Sequence, residues 1–471
     1  MHNLRMVLGR LLTSTLGLVV AAVGLPAGVA HAADPLPTTL TLSSERQHAD
    51  TDTPVSVELV TRSAEPAPVA GASVVVERRL DGTWSEVAVL VTDPAGHAEV
   101  LQTLARDADD NVFRASYAGD ESHAAASSGR RQAPLERRTG VVTVDGPEQV
   151  VDERSVVLRV RWRTVNDVPV PGRVTLQRRL PGGDWTTYRR PRLGRDGLAE
   201  LEVTPRVDTR WRAKASRLDW VTGYRSGVHR VDNLPPGTPV RLPRAAPRPR
   251  VNLPAQARAT GKGAHARVTR IPNAVWNQMT GRSWHRGCPV GRSGLRLLRI
   301  NYWDYAGYRR RGELVARTDA VDNMRGALAE MYRRELPIRS LYRVDHFGWS
   351  PRVSGADDYR SMAAGNTSAF NCRDVVGRPG IRSPHAHGRA LDVNTWENPY
   401  HSSHGWVPNS WWVGRTHARV AWRSREHVVV ALMLRHGFRW TYGTEDSHHF
   451  DVPAGSGRVI APRACTDEVC H

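Results

Sequence analysis

The chain has 471 residues, 40% of them hydrophobic, and a formal net charge of +19 carried almost entirely by arginine. At roughly 150 residues per domain this length excludes one ordinary domain and predicts about three, each able to bury a core. The charge predicts attraction to polyanions and admits nucleic acid, an anionic cell wall or a membrane surface without choosing among them.

The N-terminus narrows that choice. Arg5 and Arg10 precede an apolar stretch that starts at Leu11, and Ala30-His31-Ala32 has the A-x-A form of a cleavage signal. Residues 1–32 therefore read as a secretory signal peptide. The apolar stretch carries Gly17, Gly24 and Pro26 in or beside it, and it is shorter than the roughly 20 residues of a membrane span. The mature protein is expected to be secreted, extracellular or wall-associated, with no stable membrane insertion. The arginines are dispersed, without the basic reading element and stacking aromatics of a specific nucleic-acid binder. A monomer is the default expectation.

Residues 36–134 hold short alternating segments, "TLTLSS", "VSVELVT", "ASVVVERRL", "SEVAVLVT" and "NVFRASYAG", separated by Gly, Pro and Asp turns. That is the pattern of a β-sandwich. Residues 139–233 repeat it: "GASVVVERRLDGTW" (Gly71 to Trp84) is echoed by "GRVTLQRRLPGGDW" (Gly172 to Trp185), and "VFRASY" by "WRAKAS". A repeat at this spacing implies tandem domains. The pair resembles the bacterial immunoglobulin-like modules of exported proteins. That resemblance implies a stalk or spacer whose arginines add affinity for anionic cell-wall polymers.

Residues 234–264 are rich in proline and arginine and read as a stiff linker. Beyond it, residues 265–471 concentrate Trp, Tyr, His and all four cysteines. This is a fair length for one α+β domain. Helical spacing of Val321, Met324, Leu328 and Met331 predicts a helix over Ala320–Leu336, and Arg425–Gly437 predicts a second that Gly437 stops. "IRSLYRVDHFG" (Ile338 to Gly348) reads as a strand with an exit turn, and "RALDVNT" as a strand entering a site. Cys288, Cys372, Cys465 and Cys470 admit three pairings. The short spacing of Cys465 and Cys470 favours a small loop, leaving Cys288 with Cys372. None has the spacing of a four-cysteine zinc site.

The chemistry concentrates in "SPHAHGRALD" (Ser383 to Asp392). A catalytic zinc takes three His, Asp, Glu or Cys ligands and keeps one open position. His385 and Asp392 are seven apart, so they cannot share a helix face, but they fit a loop and the strand after it, with Gly388 allowing a tight turn. The third ligand must come from elsewhere. "GTEDSHHFDV" (Gly443 to Val452) offers His448, His449 and three carboxylates. In a turn, Asp446 and a following histidine could address one metal, one as ligand and the other through a bound water.

This segment resembles the M15 family of cell-wall zinc peptidases, the VanY-like D-alanyl-D-alanine carboxypeptidases and L-alanyl-D-glutamate endopeptidases. The family's first motif, S-x-H-x-x-G-x-A-x-D, is filled by Ser383, His385, Gly388, Ala390 and Asp392. Its second, an acid followed three residues later by histidine, is filled by Asp446 and His449. "MTGRSWHRGCPV", "RRGELVAR", "NTSAFNCR" and "DVNTWENPY" extend the likeness over the last 200 or so residues. The resemblance implies an α+β fold of the VanY/hedgehog-like type and one Zn2+ held by His385, Asp392 and His449. It implies Asp446 as general base towards a zinc-bound water and Arg373 as the partner of the oxyanion. Ser383 would orient the site or contact substrate, and His346 would line the cleft. His387 and His448 fall outside the motif register, though His448 is within reach of the same turn as His449. The stretch "GFRWTYGTED" is shorter than the family's cleft loop, which leaves the substrate preference open. The implied function is hydrolysis of an amide bond in peptidoglycan stem peptides, as a D,D-carboxypeptidase or an L,D-endopeptidase. The other reading is a wall-binding zinc protein with weak or no peptidase activity.

Overall fold

The computed structural model describes residues 34–455 apart from 377, together with 457 and 459. The expected signal peptide, Cys465 and Cys470 lie outside the described residues. The chain divides into two compact units. Among the described residues, one holds the chain up to Gly140 with the loops Thr164–Val168 and Ser216–Tyr224; the other holds Val141–Arg163, Pro169–Ala215 and the described chain from Arg225 onward.

In the first unit, alternation of apolar and polar residues produces two antiparallel sheets. Strands β1 (Thr38–Ser44), β2 (Asp52–Thr61) and β5 (His97–Thr103) form one; β4 (Thr83–Val91), β3 (Ser73–Leu80) and β6 (Val112–Tyr117) pair side by side in the other. Leu42, Val57 and Leu59 from one sheet share a hydrophobic cluster with Val74, Val76 and Phe113 from the other. The second module repeats the order. Strands β7 (Gly140–Asp145), β8 (Val156–Thr164) and β11 (Leu198–Val203) form one sheet. Strands β10 (Thr186–Arg189), β9 (Gly172–Arg179), β12 (Thr209–Ala215) and β13 (His229–Leu234) run side by side in the other. The echoed sequences thus occupy matching strands, β3 with β9 and β6 with β12.

Residues 234–264 lack long strands, as their prolines dictate, but they are bonded along the C-terminal domain. The Val240 amide donates to the Tyr305 carbonyl (2.8 Å) and the Arg311 amide to the Ala257 carbonyl (2.8 Å). The Gln256 carboxamide donates to the Leu341 carbonyl (2.7 Å) and accepts from the Leu341 amide (3.0 Å). The second module is tied to the same domain by Arg258 on Asp152 (3.3 Å) and by the Tyr308 hydroxyl on the Asn233 carbonyl (2.6 Å).

The C-terminal domain is α+β. Strands β14 (Arg267–Thr269), β15 (Leu295–Trp303) and β16 (Arg309–Arg317) form an antiparallel sheet. Helices α1 (Val321–Arg333) and α2 (Val428–Arg435) pack their apolar faces into one core with it. Leu298, Ile300 and Leu314 meet Met324, Leu328 and Met331 there, with Val429, Val430 and Met433 alongside. Leu391 and Phe450 enter the same core, which anchors the two short strands of the site. Ile338–Gly348 is not the expected strand. Ile338–Tyr342 makes a single bridge, Ser340 with Asn366, and side chains take up several of its amides: those of Arg339, Leu341 and Tyr342 donate to the side-chain carbonyls of Asn394, Gln256 and Asn366. The segment then turns as a 3-10 helix over Val344–Phe347.

Helix α2 begins at His427, whose Nδ1 accepts from the Val429 amide (3.2 Å), while Nε2 donates to the His417 carbonyl (3.1 Å). Both bonds use the neutral ring. Burial holds the pKa of His427 below its ordinary value, against the opposing pull of the His417 carbonyl. A folded-state pKa below the unfolded one makes this contribution fully present above about pH 6.5, the unperturbed histidine value, and lost as pH falls through the folded value. The substitution His427→Asn keeps a cap that does not titrate. Thermal unfolding measured between pH 7.5 and pH 5 should fall less steeply in His427→Asn than in the natural chain; equal slopes would remove His427 from the pH dependence.

Candidate metal centre

Ser383 starts a 3-10 turn over Pro384–His387, its hydroxyl accepting from the His385 amide (3.3 Å). Gly388 closes that turn at φ +68, and a Cβ there would stand 2.9 Å from the Arg317 amide nitrogen. The chain can therefore turn directly into β17 (Ala390–Asp392), which pairs antiparallel with β18 (His449–Asp451). The register sets Asp392 opposite His449, Leu391 opposite Phe450 and Ala390 opposite Asp451. Side chains alternate along a strand, so Leu391 and Phe450 share the core face while Asp392, His449 and Asp451 share the other.

The turn brings His385 over that polar face. Its Nε2 lies 3.2 Å from His449 Nδ1 and 3.2 Å from Asp392 Oδ2, and His449 Nδ1 lies 3.1 Å from Asp392 Oδ1. All three residues are buried. The remaining ring nitrogens are occupied: His385 Nδ1 donates to the Ala369 carbonyl (2.7 Å) and His449 Nε2 to Asp451 Oδ1 (3.1 Å). These outer bonds fix the tautomers so that His385 Nε2 and His449 Nδ1 turn their lone pairs inward, the arrangement that orients histidines on a metal. Tetrahedral zinc with bonds of about 2.0–2.1 Å places neighbouring ligand atoms about 3.3 Å apart, close to the observed separations. The donor set of two imidazoles and one carboxylate fits Zn2+. Its electrostatics agree. Burial alone would lower the His449 pKa, but the Asp451 and Asp392 carboxylates outweigh it and hold it well above the ordinary histidine value; the same carboxylates favour positive charge in the pocket, whether a proton on the ring or a metal ion at its lone pair.

Asp446 is fully buried and follows a 3-10 turn over Gly443–Glu445. Its backbone bridges to Tyr400, and its Oδ1 lies 3.3 Å from His448 Nε2. His448 is buried as well, with Nδ1 donating to the Asn398 carbonyl (2.5 Å). His448 therefore engages the acid rather than solvent, while His449 takes the metal side. His387 is half-buried outside the cluster; burial, with Arg317 and Arg389 beside it, holds its pKa below the ordinary value. Arg373 is fully buried and pairs with Asp358 (2.9 Å), and its carbonyl accepts from the Ser383 amide (3.0 Å). His346 is exposed on the Val344–Phe347 turn, its ring edge-on to Tyr342 (5.8 Å), apart from the triad.

Residues 376–452 match the M15 peptidase family, described as D-alanyl-D-alanine carboxypeptidase. The match contains His385, Asp392, Asp446 and His449; Arg373 and His346 precede it. Curated proteins yield no match to the chain. The family match and the His/Asp/His triad together support a zinc-dependent peptidase function at the level of the family. A second close group, His285 with Cys288 and Cys372, has its sulfurs joined in a disulfide.

The supporting partners Asp451, Asp358 and Asn398 were not singled out from sequence for these roles. Only the acid two residues after His449 left a signal, since β spacing returns it to the same face.

Asp392→Asn should lower zinc affinity by more than about tenfold, since loss of an outer partner of a metal ligand alone costs about 10–100-fold. His387→Ala should leave affinity unchanged in the same calorimetric titration. Equal losses would mean that both histidines of the turn serve the metal.

Proposed function

We propose that the protein is an exported zinc peptidase that hydrolyses an amide bond in the stem peptides of peptidoglycan. The observation that carries this reading is a buried carboxylate, Asp446, placed three residues before His449 and outside the His385–Asp392–His449 triad. A purely structural metal site has no use for such an acid. Zinc bound at the triad would supply a Lewis acid for the scissile carbonyl and lower the pKa of water.

The chain's own groups supply the rest. Asp446 accepts the proton of the attacking water and passes it to the leaving amine as the C–N bond breaks. His448, held by the Asn398 carbonyl, orients the Asp446 carboxylate through Nε2, which also lies 3.9 Å from Asp392 Oδ2. Arg373, fixed by Asp358 and bonded through its backbone to the cap of the His385 turn, offers positive charge where the carbonyl oxygen becomes negative. Ser383 supports His385 through the backbone, and exposed His346 is assigned to the substrate approach. The two β modules serve as immunoglobulin-like spacers that hold the peptidase at the wall.

Incubation with defined muropeptides, read by mass spectrometry with and without chelator, tests this reading. Loss of one D-alanine marks a carboxypeptidase, and cleavage between L-Ala and D-Glu an endopeptidase. Asp446→Ala should lower turnover by about 10²–10⁴-fold, the usual size of a general acid–base contribution, with zinc content preserved. A zinc-loaded protein that cleaves none of several stem-peptide chemistries would refute the proposal and leave a wall-binding zinc protein.

A further inference from the structure

The two β modules carry the same strands but different charge. Aligned on "VERRL" (Val76 to Leu80) and "LQRRL" (Leu176 to Leu180), Glu77 matches Gln177 and Arg79 matches Arg179. On the partner strands Arg114 matches Arg212 and Val112 matches Arg210. In the first module Glu77 lies opposite Arg114 and neutralises it through two bonds (2.7 and 2.8 Å). Arg79 there faces Val112, and Val112 faces Gln132.

In the second module the carboxylate is gone and the arginines accumulate. Gln177 faces Arg212, bonding it at 2.9 Å without cancelling its charge. Two positions along, on the same face, Arg179 faces Arg210 and Arg210 faces Arg230, a row of three guanidinium side chains across three adjacent strands. Lys214 continues the outward side of β12. Like charges directly opposite each other destabilise a sheet, so this row works against the fold. The acidic groups nearby are Asp232, paired with Arg230 (2.6 Å), and Asp208, which accepts from the Asn233 amide (2.9 Å). Arg179, Arg210, Arg230 and Asp208 line a cavity of about 380 Å³ beside the Leu180–Gly183 turn. Arg212 and Arg179 lie over the Trp185 ring, at 4.2 and 5.2 Å.

We propose that this face of the second module binds a linear wall polyanion, a chain of polyol units joined by phosphodiesters. Strands lie about 4.8 Å apart, so a flexible chain crossing them meets one guanidinium per strand. Guanidinium groups already cover the Trp185 ring, which therefore gives no stacking platform for bases of the kind single-strand binders use. The choice of a wall polymer over nucleic acid rests on this and on the exported-peptidase reading. Because the second module is bonded to the C-terminal domain, capture of the polymer would hold the peptidase beside its substrate.

The test measures binding of the full chain to poly(glycerol phosphate), to inorganic phosphate and to single-stranded DNA of equal phosphate number. The triple variant Arg179→Gln, Arg210→Gln, Arg230→Gln should weaken polymer binding by about tenfold or more and flatten its salt dependence, as expected when cationic contacts to a phosphate chain are removed. It should unfold at the same or a higher temperature, since it relieves like-charge rows; a merely structural row would lose stability. Gln177→Glu, which supplies the carboxylate of the first module, should weaken binding severalfold even if the triple variant does not fold. Arg114→Gln in the first module is the control and should bind as the natural chain. Unchanged polymer binding in both second-module variants would overturn the proposal, as would tighter binding of DNA or equal binding of free phosphate per site. Binding is read without turnover, so loss of the peptidase reading and loss of this one are separate results.

Discussion

The site depends on one strand pairing. With β17 and β18 in their observed register, Asp392 and His449 stand opposite each other on the polar face while Leu391 and Phe450 lock the other face into the core. A slip of one residue would turn one strand over relative to the other, sending one of the two ligands into the core and one of the apolar pair into the metal pocket. Burial of Leu391 and Phe450 is therefore also what specifies the metal geometry. The packing that stabilises the domain and the alignment that makes the site share the same backbone bonds.

Bringing two imidazoles and two or more carboxylates out of water is costly unless each group is paired. The structure meets this with partners one layer out: Ala369 behind His385, Asp451 behind His449, Asn398 behind His448 and Asp358 behind Arg373. Those partners come from separate segments of the chain, a strand and a helix among them, so the pocket is closed by the whole domain rather than by its two motifs. The Cys288–Cys372 disulfide ties one of those segments, beside Arg373, to a stretch 84 residues earlier in the chain. The proline-rich segment 234–264 packs along the same domain, where Gln256 bonds both backbone groups of Leu341, whose carbonyl also accepts from the Glu313 amide of β16 (3.0 Å).

Much of this was legible from sequence, for identifiable reasons. Period-two alternation located the strands of both modules, and period-3.6 spacing located α1 through Val321, Met324, Leu328 and Met331. His385, Asp392 and His449 were legible through motif spacing, because ligand separation along the chain is a property of sequence. What depends on side-chain direction was not. His448 and His449 are neighbours, and the motif that singles out His449 does not show that His448 turns to Asp446 and the Asn398 carbonyl. Ile338–Tyr342 has strand composition, yet several of its amides are satisfied by Asn394, Gln256 and Asn366, residues remote in sequence. The arginine row of the second module was equally hidden, since Arg179, Arg210 and Arg230 meet only once the cross-strand register is known. The burial of Arg373 against Asp358 could not be foreseen in a chain so rich in arginine.

His385, Asp392 and His449 together offer a nitrogen–oxygen zinc site. X-ray absorption at the zinc edge of the full-length, zinc-loaded protein tests that most directly, because it reports the ligand atoms themselves. The predicted result is one zinc per chain with two imidazole nitrogens and a carboxylate oxygen at about 2.0–2.2 Å and no sulfur. A sulfur shell at about 2.3 Å would instead place the metal on His285, Cys288 and Cys372, and would contradict the account.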